Sequence, residues 1–144
     1  MSKNVMKNTI ILILVFLSIS VFSQSKNQQE NFIDAAESKC LDKKDISNAE
    51  IRNCTIKATQ SWDNELNKYY NLLKSKLPKE TFEALKESQK QWMIYRDKEY
   101  LLISKFYFEL KQGTMWYTIA ENKKKEIVKS RALELQMYFE NLEY

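Results

Sequence analysis

From Ile51 onward the apolar positions recur at steps that alternate between three and four. Ile51, Thr55, Ala58, Trp62, Leu66, Tyr69 and Leu73 therefore share one stripe of a helix. This seam predicts an amphipathic helix ending near Leu77. Immediately ahead of it, Ser47-Asn48-Ala49-Glu50 reads as a capping box, in which the serine oxygen and the glutamate satisfy orphan amides at a helix start. A second seam runs through Phe82, Leu85, Gln89, Trp92, Arg96, Glu99 and Ile103, and a third through Ala120, Ile127, Arg131, Leu135, Tyr138 and Leu142. Phe32 to Cys40 suits a short helix, and Leu41 to Ile46 a charged connector.

The chain has one proline and one glycine, and their positions set the topology. Pro78 follows the first long seam and suits the first turn of the next helix, where a missing N–H costs nothing. Gly113 falls where a left-handed C-terminal cap favours glycine, and Thr114 then starts the last helix. No stretch alternates with period two for long; Lys105-Phe106-Tyr107-Phe108 is the one β-like patch. The second helix would exceed 30 residues, so a kink or break is expected near Ser104. The fold class is all-α: an antiparallel three-helix bundle preceded by a short N-terminal helix.

Composition changes this picture at three points. Residues 1–23 combine Lys3 and Lys7 with an apolar run from Ile10 to Val21, the layout of a signal peptide cleaved after Ser23. Residues 24–30 read as a flexible lead-in and 31–144 as the helical domain. Without Lys3 and Lys7 the remaining charge is close to neutral, and only Lys123 to Lys125 form a basic run. On a helix those three spread around the circumference as solvated surface, so no nucleic-acid partner is expected.

Cys40 and Cys54 are the only cysteines. In an oxidising compartment their pairing closes a loop of about 15 residues, worth on the order of 3 kcal/mol, and tethers the short N-terminal helix. Metal ligation or a redox pair are the alternatives, but the spacing is wrong for a C-x-x-C site. The absence of histidine removes histidine-based nucleophile systems, histidine general bases and most zinc sites. The expectation is a binding protein with no cofactor and no metal.

Polar residues interrupt the inner seams. In a hairpin turning at Leu77–Pro78, Asn67 faces Gln89, and Asp63 faces Trp92 with Arg96 one turn further on. A second hairpin turning at Gly113 sets Asp97 close to Arg131 and Glu134 within reach of Arg96. Asp63, Asn67, Gln89, Arg96, Asp97 and Arg131 are thus expected to converge, as a register-fixing network or as a recognition site. Trp62, Trp92, Tyr69 and Tyr138 are expected in the core. Phe106, Tyr107, Phe108, Trp116 and Tyr117 bracket the Gly113 turn and cannot all face inward, so some form an exposed contact patch.

Cys54, then Trp62-Asp63-x-Glu65-Leu66-Asn67-x-x-Tyr70, then Leu85-x-x-x-Gln89-x-x-Trp92-x-x-Tyr95-Arg96-Asp97 resembles the lysozyme inhibitor LprI-like N-terminal domain family. Its members are small secreted or lipid-anchored bacterial domains, long catalogued as a domain of unknown function. The resemblance runs from about Cys40 to Leu135 and includes Gly113-Thr114-Met115 and Arg131-x-x-Glu134-Leu135. Two departures stand out. Family members commonly carry a further cysteine where Tyr100 stands here, and another after the glycine turn, where this chain has none.

The resemblance implies a periplasmic or secreted inhibitor that blocks the cleft of a lysozyme-type muramidase. Such a cleft holds two carboxylic acids, so a loop offering hydrogen-bond donors suits it. Lys111, Gly113, Thr114 and Trp116 are the expected loop residues. The competing reading is a non-inhibitory envelope interaction or scaffold module using the same turn. A histidine-free hydrolase relying on Asp63 or Glu99 is a remote third. Membrane contact is expected only through the signal peptide before cleavage.

Overall fold

The structure, a computed structural model, describes residues 31–142. The expected signal peptide and lead-in lie outside the described residues. Four α-helices occupy most of this span: α1 (Phe32–Leu41), α2 (Asn48–Lys76), α3 (Lys79–Ser104) and α4 (Met115–Glu140). No strand occurs among the described residues.

Local chemistry accounts for the helix boundaries. Asn31 caps α1 by accepting from the Ile33 amide at 2.9 Å. The capping box before α2 is present, with the Ser47 amide donating to Glu50 at 3.0 Å and the Glu50 amide donating to Ser47 Oγ at 3.3 Å. Those hydrogen bonds hold the Glu50 carboxyl below its ordinary range. Pro78 sits one residue earlier than expected, capping α3 rather than opening it, and its carbonyl accepts from the Phe82 amide at 2.9 Å. Gly113 adopts φ +105°, a conformation L-residues rarely take.

Near Ser104 the helix widens rather than breaks. Lys105–Leu110 is wound as a π-helix continuous with α3, and it ends where Lys111 turns extended. The one β-like patch of the sequence is therefore this π-helical turn, and it redirects three consecutive aromatic rings.

The bundle is up-down-up, but its tightest pair is α2 with α4. The two run parallel. Asn48 Nδ2 donates to Thr114 Oγ1 at 3.0 Å beside both N-termini, and the Tyr69 and Phe139 rings lie 5.9 Å apart towards the other end. Small side chains account for the closeness, because Ala58, Ala120 and Ala132 are all buried. By contrast α3 meets the core through Leu85, Trp92 and Tyr100. Bulky rings hold its backbone away from α2, so the sequential hairpin is the looser pairing.

The core consists of Ile33, Ala58, Trp62, Leu66, Leu73, Val128, Ala132 and Leu135. Trp62 is buried as expected, while Trp92 and Tyr69 are partly buried against this cluster. Tyr138 is corrected: it is 47% exposed, and Phe139 packs inward in its place. The third seam is shifted accordingly, with Val128 and Ala132 inside and Leu142 outside.

Helix α1 is fastened in two ways. The Cys40–Cys54 disulfide joins it to α2. Lys125 donates to Glu37 at 2.7 Å and Lys129 to Asp34 at 2.6 Å, joining it to α4. The expectation that Lys123 to Lys125 are all solvated therefore fails at Lys125, which is 7% exposed. Glu121 pairs with Lys124 at 3.4 Å. Among the described residues no helix is long and apolar enough to cross a membrane.

Candidate functional site

The six polar residues expected to converge separate into three groups. On α2, Asn67 Nδ2 donates to the Asp63 carbonyl at 2.9 Å and to Asp63 Oδ2 at 3.2 Å. On α3, Arg96 directs Nε and Nη2 to Asp97 Oδ1 at 2.9 and 2.8 Å. Its guanidinium lies 5.3 Å from the Trp92 ring and 6.0 Å from the Tyr100 ring.

The third group alone crosses between helices in the interior. Arg131 Nε donates to Gln89 Oε1 at 2.9 Å, Nη2 to Ser88 Oγ at 3.1 Å and Nη1 to Glu134 Oε2 at 2.7 Å. Arg131 is 6% exposed, so this fork is the polar centre of the α3–α4 contact. No hydrogen bond or ion pair joins Asp97 to Arg131, or Glu134 to Arg96, among the described residues. The register of α3 on α4 explains the correction. Tyr100 meets Lys124 and Gln89 meets Arg131, which places Arg131 about two turns from Asp97 along α3.

Two surfaces carry members of the expected set within reach of solvent. The first is a cleft of about 330 Å³ between α2, α3 and α4, lined among others by Gln60, Asp63, Arg96, Tyr100, Glu121 and Lys124. Tyr100 Oη donates to the Lys124 carbonyl at 3.2 Å. Burial pushes the Tyr100 phenol above its ordinary pKa; Arg96 opposes the shift, and Asp63, Glu121 and Asp97 reinforce it. The Tyr100 hydrogen bond ties α3 to α4.

The second surface is the Gly113 turn. The π-helical segment brings Phe106, Tyr107 and Phe108 against the start of α4, where Tyr107 meets Trp116 at 5.9 Å and Phe108 meets Tyr117 at 5.2 Å. Lys111 Nζ lies 5.3 Å from the Phe106 ring and 5.3 Å from the Trp116 ring. Lys111 has no carboxylate partner among the described residues. Thr114 is exposed, and its hydroxyl accepts from Asn48, which anchors the turn to the start of α2. Leu101, Leu102, Phe106, Leu110 and Met115 are exposed nearby, so this end of the bundle carries an apolar patch. The expectation that only part of the aromatic set turns inward is met: Phe106 is 40% exposed, and Tyr107, Phe108 and Trp116 are partly buried.

Residues 40–135 match the family model described as lysozyme inhibitor LprI. The chain belongs to the LprI family. The match spans both cysteines, α2, α3, most of α4 and the Gly113 turn, but begins after Asp34 and Glu37. The ion pairs that clamp α1 onto α4 therefore lie partly outside the LprI region. A crystal structure of an uncharacterised protein from Burkholderia thailandensis is similar, with 30% identity and a TM-score of 0.72. The similarity covers 77% of this chain and 55% of that one, so this chain spans little more than half of the longer protein. No curated protein matches the chain.

Sequence reasoning missed Tyr100, Glu121 and Lys124 as lining residues of one cleft. The i,i+3 spacing of Glu121 and Lys124 was a visible signal, but only the register of α4 on α3 and α2 shows which face it serves.

Proposed function

We propose that this LprI family member is a secreted or periplasmic binding protein that inhibits a lysozyme-type muramidase by placing the Gly113 turn in the enzyme's cleft. The observation that carries the reading is Lys111. Its ammonium is held over two aromatic faces at an exposed turn and meets no carboxylate among the described residues. A cation over aromatic rings keeps its charge while losing side-chain freedom, so less entropy is lost on binding. Muramidase clefts offer two carboxyl groups close together, which an ammonium and nearby hydroxyl donors complement.

The surroundings of Lys111 match the anatomy of a protein contact. Trp116 and Phe106 supply aromatic anchors, and Leu110 and Met115 supply an apolar margin. The near-neutral charge outside the expected signal peptide gives little long-range steering, so affinity would rest on contact at the turn. Histidine-free chemistry and the family description both favour a binder over an enzyme. The test is lysis of bacterial cell walls by a muramidase with purified protein added. Slowed lysis that saturates with inhibitor supports the reading, and unaltered lysis at micromolar protein counts against it.

A second reading is a non-inhibitory envelope interaction module. The exposed Met93, Ile94 and Tyr95 on α3 favour it, because they offer apolar contact area away from the turn.

A further inference from the structure

We infer that the cleft between α2, α3 and α4 binds a small zwitterion: an amino acid or a short peptide presenting both an ammonium and a carboxylate. Its volume, about 330 Å³, lies at the lower end of the range for small-molecule sites, roughly 300–1,000 Å³. Four ionic side chains line it, two of each sign: Asp63 and Glu121, Arg96 and Lys124. A cleft balanced in this way disfavours a polyanion or a polycation and suits a ligand that carries both charges.

The state of these four groups is more telling than their number. Asp63 accepts only from the Asn67 amide and has no cationic partner among the described residues. Arg96 lines the same cleft but turns Nε and Nη2 to the exposed Asp97 instead of closing onto Asp63. The Trp92 and Tyr100 rings hold the guanidinium in that position. Asp63 and Arg96 thus share one cleft without joining. Lys124 is kept in place by Glu121 at 3.4 Å and lies 5.7 Å from the Tyr100 ring, so Arg96 and Lys124 both border the same phenol.

A zwitterion completes this arrangement. Its ammonium takes the Asp63 carboxylate, and its carboxylate takes the remaining Arg96 N–H donors and the Lys124 ammonium. Gln60, Asn64 and Thr59 are available for neutral hydrogen bonds. A neutral sugar would leave Asp63 without a charged partner and is disfavoured. The site is separate from the Gly113 turn, so muramidase inhibition and zwitterion binding stand or fall independently.

The test is calorimetric titration of the purified protein with alanyl-alanine, the same dipeptide acetylated at its amine, the same dipeptide amidated at its carboxyl, and N-acetylglucosamine. The free dipeptide should bind saturably, and capping either end should weaken binding about tenfold or more, the scale of a lost charge-assisted hydrogen bond. In Asp63→Asn the penalty for acetylating the amine should disappear while the penalty for amidation remains, and Lys124→Gln should show the reverse. Absence of saturable binding, equal binding of the capped dipeptides, or preference for the sugar overturns the inference. Because the capped ligands are compared on the unaltered protein, the outcome does not depend on how well the variants fold.

Discussion

Lys125 of α4 reaches Glu37 of α1 across 2.7 Å, with both side chains less than a tenth exposed. One helical turn on, Lys129 repeats the contact with Asp34. Removing one member of a buried pair leaves the other charge without compensation in a low-dielectric setting. Lys125→Met is therefore expected to destabilise the fold by about 3–5 kcal/mol, whereas Lys125→Met with Glu37→Leu should restore most of that loss. Urea unfolding of the two variants measures the difference. Equal loss in both would show that the pair does not behave as a buried unit.

The disulfide acts on the same helix from its other side. Reduction of Cys40–Cys54, or replacement of both cysteines by alanine, is expected to lower stability by about 3 kcal/mol. The loss should be local first. Amide exchange should accelerate across Phe32–Leu41 before α2 or α4 respond, and uniform acceleration would contradict a tethering role.

These two attachments mark where the sequence was legible. Cys40 and Cys54 could be paired from composition because no other thiol competes. Ser47 and Glu50 are local chemistry, three residues apart, and Pro78 and Gly113 impose turns whatever packs around them. Lys125 could not be read in this way. Its partner is 88 residues distant, and a lysine in a run of three looks like solvated surface until the third dimension is known.

The polar network failed for a related reason. Helix ends fix a hairpin's register only to within a turn or two, and the π-helical segment before Gly113 changes the count of residues per turn. Gln89 and Arg131 were correctly placed inside, but the partners of Arg96 and Asp97 were not. The third seam went astray because size decides burial here. Alanines allow α2 and α4 to approach, and the larger Tyr138 is left at the edge.

Tyr100 supplies a pH test. Its phenol titrates above the ordinary value of 10.0, first because it is buried and then because carboxylates surround it. The folded state therefore holds this proton more tightly than the unfolded chain. The associated stability is fully present below the unfolded pKa and is lost as pH rises through the folded one. Tyr100→Phe should abolish that alkaline loss. At neutral pH it should cost about 0.5–1.5 kcal/mol through the missing hydrogen bond to the Lys124 carbonyl. Thermal melts on both sides of the phenol transition read the two effects, and parallel pH profiles for parent and variant would contradict the assignment.

Gly113 separates backbone strain from steric clash. No atom lies within 4 Å of where a Cβ would stand, yet φ is +105°. Gly113→Ala is therefore expected to cost about 1–2 kcal/mol through conformation alone. A melting temperature equal to the parent's would mean that the turn relaxes to another conformation.

The inhibition constant of Lys111→Met against a cell-wall-degrading muramidase tests the central claim most directly. The Lys111 side chain makes no hydrogen bond or ion pair among the described residues, and methionine can keep apolar contact with the Phe106 and Trp116 rings, so the variant should melt with the parent. The account predicts saturable inhibition by the parent and a loss of about 2 kcal/mol in the variant, roughly thirtyfold in the constant. Equal inhibition by the two proteins, or none by the parent, would contradict it.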